Sequence, residues 1–276
     1  MPKGKRPFSS RVATFTPYMG LRAHDATNVT CSTRDLNEYS RWLFADEMAL
    51  KERLIALKER LGKPLVILDA GCGQGYASRQ LLSDPALEGI IASVIGVSLH
   101  HFHSLESLAT DFPSRFRYYP GTVQNVLRKS TEQVHVILDL WGALAYSADK
   151  LSLLHQYHDV LVPGGQLYAF QRLERHTTQT LIHEGDETTE LFPFLHCQPG
   201  FSWSRRQGEK DTLLYQKNQA HFPITGSISM TCSEETNITT PKIKHSRRLA
   251  AAGNALVPKT VTYTLHSRTS LRSKPY

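Results

Sequence analysis

The chain has 276 residues and a formal net charge of +7, a length that suits one substantial α/β domain with appendages. No apolar run approaches the ~20 residues needed to span a bilayer, and residues 1–20 lack the apolar stretch of a secretory signal, so we expect a cytoplasmic protein. The four cysteines are widely spaced and form no CxxC pair, a pattern that indicates neither a zinc site nor a disulfide framework.

The amino-terminal segment, residues 1–32, is basic, because its first 24 residues carry five lysines and arginines and no acid. A long amphipathic helix is predicted over 33–61, since apolar residues recur at helical spacing until Gly62 and Pro64 end the pattern. A capping box from Ser32 to Asp35 would begin this helix. We expect the helix to pack on a sheet.

Short apolar runs then alternate with helical stretches, which is typical of a parallel sheet covered on both faces. Helices are predicted from 76 to 82, from 99 to 110 and from 148 to 161. The five predicted strands are 65–69, 92–97, 116–119, 134–140 and 166–170. The pattern indicates a doubly wound α/β fold.

The pattern changes after the fifth strand. Residues 171–200 carry mixed charge before an apolar end, and we interpret them as a lid over a polar acceptor; a solvated crossover helix with a buried end is the alternative. Residues 201–206 and 212–217 are strand-like and too close for a crossover, so they predict an antiparallel hairpin. The hairpin completes a mostly parallel sheet of seven strands.

The carboxyl-terminal segment, residues 223–276, is rich in serine and threonine and is interpreted as a tail. Its residues 237–276 carry eight lysines and arginines and no acid. Basic ends of this kind suit contact with a polyanion, although solvated and poorly ordered termini explain the same composition. The predicted folded domain is therefore 33–222.

A glycine-rich loop follows the first strand. Gly71, Gly73 and Gly75 allow a ligand to approach the backbone, and the next helix offers free N–H groups. A dinucleotide fingerprint fails here, because Tyr76 stands where its third glycine belongs. Asp69 disfavours a pyrophosphate and would attract a cationic ligand, such as the ammonium and sulfonium groups of S-adenosylmethionine.

These features resemble the class I S-adenosylmethionine-dependent methyltransferases. Residues 66–75, with Asp69 and the three glycines, are similar to the first motif of that family. Residues 161–167, around Pro163, Gly164 and Gly165, are similar to the turn before its fifth strand, and the terminal hairpin matches its reversed seventh strand. The resemblance extends from residue 33 to about Lys217 and implies that S-adenosylmethionine is the cofactor.

The resemblance also implies which residues hold the cofactor, with Asp69 and the three glycines around its methionine part. Ser98 stands where the family has an acid for the ribose, and Thr122 where it often has an acid near the adenine. A neutral contact of this kind contributes about 0.5–1.5 kcal/mol, against roughly 1.5–3 kcal/mol for a charged one. The residues expected to bind the cofactor are Asp69, Ala70, Gly71, Cys72, Gly73, Gly75, Ser98, Leu99, Thr122, Val123, Asp139 and Leu140.

The segment that leaves the fourth strand carries the candidate catalytic residues. Asp139 is a candidate base or cofactor contact, or an ordinary strand-end residue. Trp141 is a candidate for stacking on the acceptor or for packing under the loop, and Tyr146 is a candidate for orienting the acceptor. Methyl transfer needs mainly alignment of the acceptor and the methyl group, so these roles are hard to derive from sequence alone.

A histidine cluster at His100, His101 and His103 has no further residue at metal-ligand spacing, so no metal is expected. Two other functions stay open. Residues 247–258 resemble the last motif of DNA cytosine-5 methyltransferases, and the basic tails suit nucleic acid, but Cys197 lacks the proline that precedes the nucleophile of that family. The remaining alternative is a non-catalytic interaction protein that retains the fold.

Overall fold

Two helices precede the first strand, and one or two helices then separate each strand from the next up to the fifth strand. The computed structural model describes residues 33–44, 49–147, 150–172, 178–184, 187–206, 210–224, 226–234 and 259–265. The strands are β1 (Leu65–Ala70), β2 (Ile91–Ser98), β3 (Phe116–Pro120), β4 (Val134–Leu140), β5 (Leu161–Arg172), β6 (Thr178–Glu184), β7 (Glu187–Glu190), β8 (Phe201–Arg206), β9 (Lys210–Gln216), β10 (Gly226–Glu234) and β11 (Lys259–Leu265). The helices are α1 (Leu36–Leu43), α2 (Leu50–Leu61), α3 (Tyr76–Ser83), α4 (His103–Asp111), α5 (Val123–Lys129), α6 (Ala143–Tyr146), α7 (Lys150–Val160) and α8 (Leu191–His196).

The main sheet has seven strands in the order β3-β2-β1-β4-β5-β9-β8. The five strands β3, β2, β1, β4 and β5 are parallel to one another, whereas β9 is antiparallel to both β5 and β8. The chain order reverses between β1 and β4, and the carboxyl ends of the parallel strands meet at one edge there, which is where ligands bind in open α/β sheets. The predicted doubly wound sheet with a terminal antiparallel hairpin is confirmed.

Two apolar cores lie on the two faces of this sheet. Helices α1 to α4 supply one core together with residues such as Ile67 and Phe170. Helices α5, α7 and α8 supply the other core, in which Leu68 and Tyr157 are buried. All seven residues of β4 are buried, because the strand is covered on both faces. The bounds of β4 are those predicted, since a continuous apolar run leaves little freedom in where the strand begins and ends.

The single helix predicted over 33–61 is wrong, because α1 ends at Leu43 and α2 begins at Leu50. Phe44 is in an extended conformation and ends α1. Both helices bury their apolar residues in the same core, so the apolar spacing continues across the break and hides it. The capping box is also shifted from its predicted position: Asp35 accepts from the backbone N–H of Glu38, and Glu38 accepts from that of Asp35.

Two further helix boundaries differ from those predicted. Helix α4 begins at His103 rather than at Leu99, because β2 continues to Ser98 and the chain then bends. Helix α5 was not predicted, since its seven residues are mostly polar and only Val123 and Leu127 are buried. Thr122 caps α5, with its Oγ1 accepting from the backbone N–H of Asn125 at 3.3 Å.

A second sheet of four strands has the order β11-β10-β6-β7. Its strand β6 and its hairpin partner β7 lie within 171–200, so the crossover helix considered there is wrong apart from its apolar end, which forms α8. Strands β10 and β11 lie in the segment interpreted as a tail, and that interpretation is wrong for these residues. Serine or threonine alternates with apolar residues in these strands, which is the pattern of a strand with one polar face. Composition alone does not show this alternation and indicates only a segment of low complexity.

Candidate functional site

The glycine loop joins β1 to α3 at the carboxyl edge of the main sheet. Gly71, Gly73 and Gly75 have φ values of 114°, 54° and 80°, a region that other residues rarely adopt. The backbone N–H groups of Gly71 and Cys72 both donate to the carbonyl of Val97 at 3.0 Å. These bonds fix the loop to the end of β2, so its backbone forms a rigid floor at the edge of the sheet.

The loop after β1 touches the loop after β4 backbone to backbone. A Cβ on Gly71 would lie 2.6 Å from the Cα of Gly142, and a Cβ on Gly142 would lie 1.7 Å from the carbonyl oxygen of Ala70. Both positions therefore exclude any side chain. Gly142 was not predicted as part of the site. Glycine is needed there because of the backbone of Ala70 and Gly71, which is close in space but not in sequence, and no motif around Gly142 indicates this.

Asp69 is buried at the end of β1 and bound by two hydroxyl groups. Tyr39 donates to its Oδ1 and Ser78 to its Oδ2, both at 2.8 Å. Burial raises the pKa of Asp69 to about 6, while the hydrogen bonds from Ser78 and Tyr39 and the charge of Arg34 act in the opposite direction. Asp69 is therefore mainly ionised near pH 7, with its negative charge directly beneath the glycine loop.

Asp139, the second-last residue of β4, is fully buried. Its Oδ1 accepts from the backbone N–H of Gly142, and its Oδ2 accepts from that of Leu144, both at 3.0 Å. Tyr157 on α7 donates a third hydrogen bond to Oδ2 at 2.6 Å. Burial raises the pKa of Asp139 to about 6, against these three bonds and the charge of Lys150. The side chain thus fixes the loop that follows β4 and ties it to α7.

Trp141 follows β4 and packs against α1 and β5. Within the described part of the chain it is the one residue other than glycine with a positive φ, at 47°. Its ring lies 5.3 Å from that of Trp42 and 5.2 Å from that of Phe170, and the Arg34 guanidinium lies 4.6 Å from the ring centre. The ring is half-buried, and its Nε1 has no hydrogen-bond partner among the described residues. Trp141 therefore both packs under the loop and borders its surface.

The remaining predicted cofactor residues lie along the same edge of the sheet. Ser98 ends β2, and its carbonyl accepts from the backbone N–H of Gly121 at 2.8 Å, which joins the ends of β2 and β3. Leu99 is 37 % exposed beyond that strand end. Val123 and Leu140 are buried and support Thr122 and Trp141, their neighbours in the chain. The structure thus brings the ends of β1, β2, β3 and β4 together.

Three other predicted features are Tyr146, the segment that resembles a cytosine-5 motif, and the lid. Tyr146 ends α6, but its side chain lies outside the described part of the structure. Residues 247–258 are also outside it, whereas Cys197 is described and lies exposed just after α8. A small cavity where the predicted lid meets the end of β5 is lined by residues that include Lys150, Gln171 and Thr180, and it has room for about one water molecule.

Two residues of the histidine cluster, His101 and His103, belong to an exposed hydrogen-bonded group. Glu106 accepts from His101 and from His103, both at 3.0 Å. These hydrogen bonds lower the pKa of Glu106. Among the described residues, no group of His, Cys, Asp and Glu has an arrangement that could hold a metal ion. No helix in the same described ranges is long and apolar enough to cross a membrane.

No protein-family model matches this sequence. Two curated relatives are tRNA U34 carboxymethyltransferases. The one from Stutzerimonas stutzeri is 28% identical over 162 residues, which cover 52% of this chain and 45% of the relative. The one from Alteromonas mediterranea is 27% identical over 130 residues, which cover 45% of this chain and 35% of the relative. The chain thus spans less than half the length of the curated relatives it matches.

The chain is also similar to solved methyltransferase structures. One is the 1,6-didemethyltoxoflavin-N1-methyltransferase of Burkholderia thailandensis, solved with 1,6-didemethyltoxoflavin and S-adenosylhomocysteine. It is 20% identical, with a TM-score of 0.43, and the match covers 72% of this chain and 91% of that one. The strand order of this chain, with a reversed strand inserted beside the fifth, is that of the class I methyltransferase fold.

Proposed function

We propose that this chain is an S-adenosylmethionine-dependent methyltransferase, which binds its cofactor over the glycine loop and transfers the methyl group to an acceptor held near Trp141. The observation that carries the proposal is the apposition of Gly71 and Gly142 above the buried carboxylate of Asp69. Two loops that exclude side chains at the carboxyl edge of a doubly wound sheet let a ligand approach the backbone closely, within the field of one buried negative charge. That combination suits a cationic amino-acid group better than a pyrophosphate.

The strand ends divide the cofactor between them in this proposal. Asp69 and residues 70–75 hold the methionine part, because the glycines of this segment allow a ligand to approach its backbone most closely. Ser98 and Leu99 are assigned to the ribose, and Thr122 and Val123 to the adenine. Asp139 and Leu140 complete the site from β4. The hydroxyl of Thr122 caps α5, so we expect the adenine to meet the backbone at this position rather than a charged side chain.

When bound, S-adenosylmethionine supplies an electrophilic methyl group, so the protein's task is to align the acceptor and to exclude water. Trp141 offers an aromatic edge to a planar acceptor beside that group. Asp139 is proposed as a positioning residue, because both of its oxygens accept hydrogen bonds from the loop or from α7. Any proton that leaves the acceptor is therefore taken by solvent or by another group.

The test is transfer of a labelled methyl group from S-adenosylmethionine into separate pools of small molecules, protein, RNA and DNA. We expect one pool to be labelled, with less label transferred by Asp69→Asn at low cofactor concentration and an unchanged amount by Asp111→Asn, a change to an exposed carboxyl. Mass spectrometry of the product distinguishes a methyl group from the carboxymethyl group named for the curated relatives. Cofactor binding without transfer into any pool would favour the non-catalytic alternative.

Two narrower parts of the proposal concern the cysteine and the tails. Cys197 is not assigned as a nucleophile, so Cys197→Ser is expected to retain methylation of every acceptor found; loss of transfer would restore the cytosine-5 mechanism.

The basic ends of the chain are proposed to contact a polyanion in a cytoplasmic setting. Removal of residues 1–32 is therefore expected to weaken binding to heparin. Unchanged retention on heparin would contradict the proposed polyanion contact of this segment.

A further inference from the structure

A basic and aromatic surface lies beside the glycine loop, on residues that no motif identifies. Two tryptophans and four cations form it, and we call it the basic–aromatic surface: Arg34, Arg41, Trp42, Trp141, Arg206 and Lys210. Trp42 lies in α1, Trp141 follows β4, and the last two residues lie in β8 and β9. Because Trp141 directly precedes Gly142, this surface adjoins the site proposed for the cofactor.

The tryptophan rings carry cations at short range. The Arg41 guanidinium lies 5.1 Å from the centre of the Trp42 ring, and the Lys210 ammonium lies 4.9 Å from it. Arg34 holds the same relation to Trp141, at 4.6 Å. Within 6 Å of an aromatic face a cation is attracted by the ring quadrupole. These three cations therefore lie next to half-buried aromatic rings, while Arg41 also stays exposed to solvent.

Contacts with the backbone hold Arg206, the fourth cation of this surface, in place. Arg206 donates to the carbonyl oxygens of Arg41 and Trp42, at 3.0 and 2.7 Å, which ties the end of β8 to the end of α1. The strand register places Arg172 of β5 and Arg206 of β8 on either side of Lys210. Three basic positions thus lie side by side on three adjacent strands, each one strand spacing from the next.

The acidic residues near this surface do not cancel its charge. Glu38 lies 4.0 Å from Arg41, with both side chains well exposed, an ion pair that is screened by solvent. Asp69 is buried, with oxygens that accept from Tyr39 and Ser78, and its charge interacts with Arg34, so it offsets one of the four cations and leaves the others. Asp211 is bound by Arg205 and by the Trp203 indole, away from Lys210. The surface consequently presents net positive charge to a ligand.

We propose that the basic–aromatic surface binds an unpaired segment of RNA, with phosphates near Arg41, Lys210 and Arg206 and a base beside Trp42 and Trp141. The assignment rests on the proposed function in one respect, since it makes this base the methyl acceptor or its neighbour. Single-stranded nucleic acid is recognised by cations that follow its backbone and by aromatic side chains that stack on its bases. An acidic peptide would use the cations and leave both indoles without a role.

The strained backbone of Trp141 supports the same assignment. Left-handed residues other than glycine cost roughly 1–3 kcal/mol and occur where surrounding structure enforces them, often at ligand sites. The buried Nε1 of Trp141 also lacks a hydrogen-bond partner among the described residues, a second unfavourable feature at the same residue. A base stacked in this region would reach the glycine loop across Gly142, without an intervening side chain.

The experiment measures binding of a fluorescein-labelled, unstructured RNA oligonucleotide of mixed sequence to the full chain, by anisotropy, in the presence of S-adenosylhomocysteine. We expect the double variant Arg41→Glu, Lys210→Glu to bind this RNA at least about tenfold more weakly than the wild type. Its dependence of log K on log salt should be shallower by about 1.4, since each phosphate contact of a single strand contributes about 0.7. Trp42→Phe, which keeps an aromatic ring in place, should reduce the quenching of tryptophan fluorescence by RNA.

Lys129→Glu is the matched control, because Lys129 is exposed at the end of α5, near the amino edge of the sheet, and carries the same charge. It should leave RNA affinity and the salt slope unchanged. Equal loss in Lys129→Glu and the double variant would overturn the proposal, since binding would then follow net charge or the tails alone. Competition by polyglutamate as effective as that by RNA would also overturn it, in favour of an acidic peptide.

The two proposals fail separately in this design. Retained binding of S-adenosylhomocysteine with no RNA binding by the wild type would remove the inference and leave the methyltransferase proposal intact. RNA binding that depends on Arg41 and Lys210 in a protein that binds neither S-adenosylmethionine nor S-adenosylhomocysteine would do the opposite. A single-stranded DNA of the same sequence, run in parallel, tests whether the 2′-hydroxyl contributes; DNA binding equal to that of RNA would contradict the assignment to RNA.

Discussion

Asp69 is the residue on which the electrostatics of the proposed cofactor site depend. Burial raises the pKa of this carboxyl, while the hydroxyls of Ser78 and Tyr39 and the charge of Arg34 offset part of the cost of burying its charge. Neither partner could be identified from the glycine motif, since Tyr39 lies 30 residues before Asp69 in the chain. The motif predicts the acid, and the fold supplies the groups that hold it ionised.

The first prediction concerns the pH dependence of cofactor affinity. Because Asp69 has a pKa of about 6 and attracts cations only when ionised, affinity for S-adenosylmethionine should rise as the pH is raised from 5 to 7. Asp69→Asn should bind about tenfold more weakly at pH 7, with much of the pH dependence removed. Isothermal titration calorimetry at several pH values measures both effects.

Tyr39→Phe provides the control for this prediction. It keeps the carboxylate but removes a hydrogen bond that lowers the pKa of Asp69, so the midpoint of the affinity profile should move to higher pH. An unchanged profile in Asp69→Asn would show that another group is responsible, and would separate Asp69 from cofactor binding.

The second prediction concerns Asp139 and the stability of the folded state. Its pKa is about 6 in the folded protein against an ordinary value of 3.8, so the folded state holds its proton more tightly than the unfolded state. The stabilisation is present below about pH 4 and is lost as the pH rises to about 6, which amounts to about 3 kcal/mol from this group. Urea denaturation between pH 4 and pH 7 measures the change.

The comparison for Asp139 is a pair of isosteric variants. Asp139→Asn should lose less stability than the wild type over this pH range, because the amide does not titrate. Asp111→Asn, at an exposed carboxyl that pairs with Arg79, should follow the wild type. If Asp139→Asn and the wild type have parallel profiles, burial does not raise the pKa of Asp139 and its role in fixing the loop after β4 must be revised.

At the scale of elements, the site depends on how closely the loops after β1 and β4 approach each other. The apposition of Gly71 and Gly142 leaves no room for a Cβ, and Asp139 holds one of the two loops in place. Parallel strands bring their carboxyl ends to one edge as a matter of topology, so the position of the site follows from the fold class. The distance between the loops does not follow from it.

The third prediction tests this close approach. Gly142→Ala should lower the free energy of unfolding by about 3 kcal/mol, because the new Cβ would meet the carbonyl oxygen of Ala70 and one of the two backbones must move. Gly89→Ala is matched, since Gly89 has a φ of 70° but open space around it; it should cost only about 1 kcal/mol for the left-handed backbone. Chemical denaturation compares the two, and equal losses would contradict the predicted contact.

The elements themselves were predictable to different degrees. Strands β1 to β5 and the β8–β9 hairpin follow from apolar runs and turn residues, because burial on both faces of a sheet requires them. The break between α1 and α2 was missed because both helices bury residues in the same core. Arg34 and Trp42 were missed as members of the site, because their contacts with Trp141 cross about a hundred residues of sequence and depend on how α1 packs.

At the scale of the whole molecule, the second sheet extends the fold past the methyltransferase-like part. Strand β6 lies between β10 and β7, so both of its edges are hydrogen-bonded. The chain therefore returns from residue 226 to a segment that directly follows β5. This arrangement covers an edge that would otherwise be exposed, and it joins the carboxyl-terminal segment to the predicted acceptor lid.

The fourth prediction tests the second sheet by hydrogen exchange. Backbone amides of β6 and of β10 that bond across their ladder should exchange much more slowly than those of unstructured chain, because opening them requires separation of the strands. Mass spectrometry of peptides covering 178–184 and 226–234 gives the measurement. Exchange in 226–234 at the rate of a free peptide would contradict the pairing and restore the tail interpretation for those residues.

Binding of the cofactor is the claim on which the functional account rests. The most direct measurement is calorimetric titration of the full chain with S-adenosylmethionine and S-adenosylhomocysteine at pH 7.5, repeated with Asp69→Asn. We predict saturable binding of both compounds at one site, with a weaker affinity for S-adenosylmethionine in the variant. No heat of binding and no thermal stabilisation by either compound at about millimolar concentration would contradict the account.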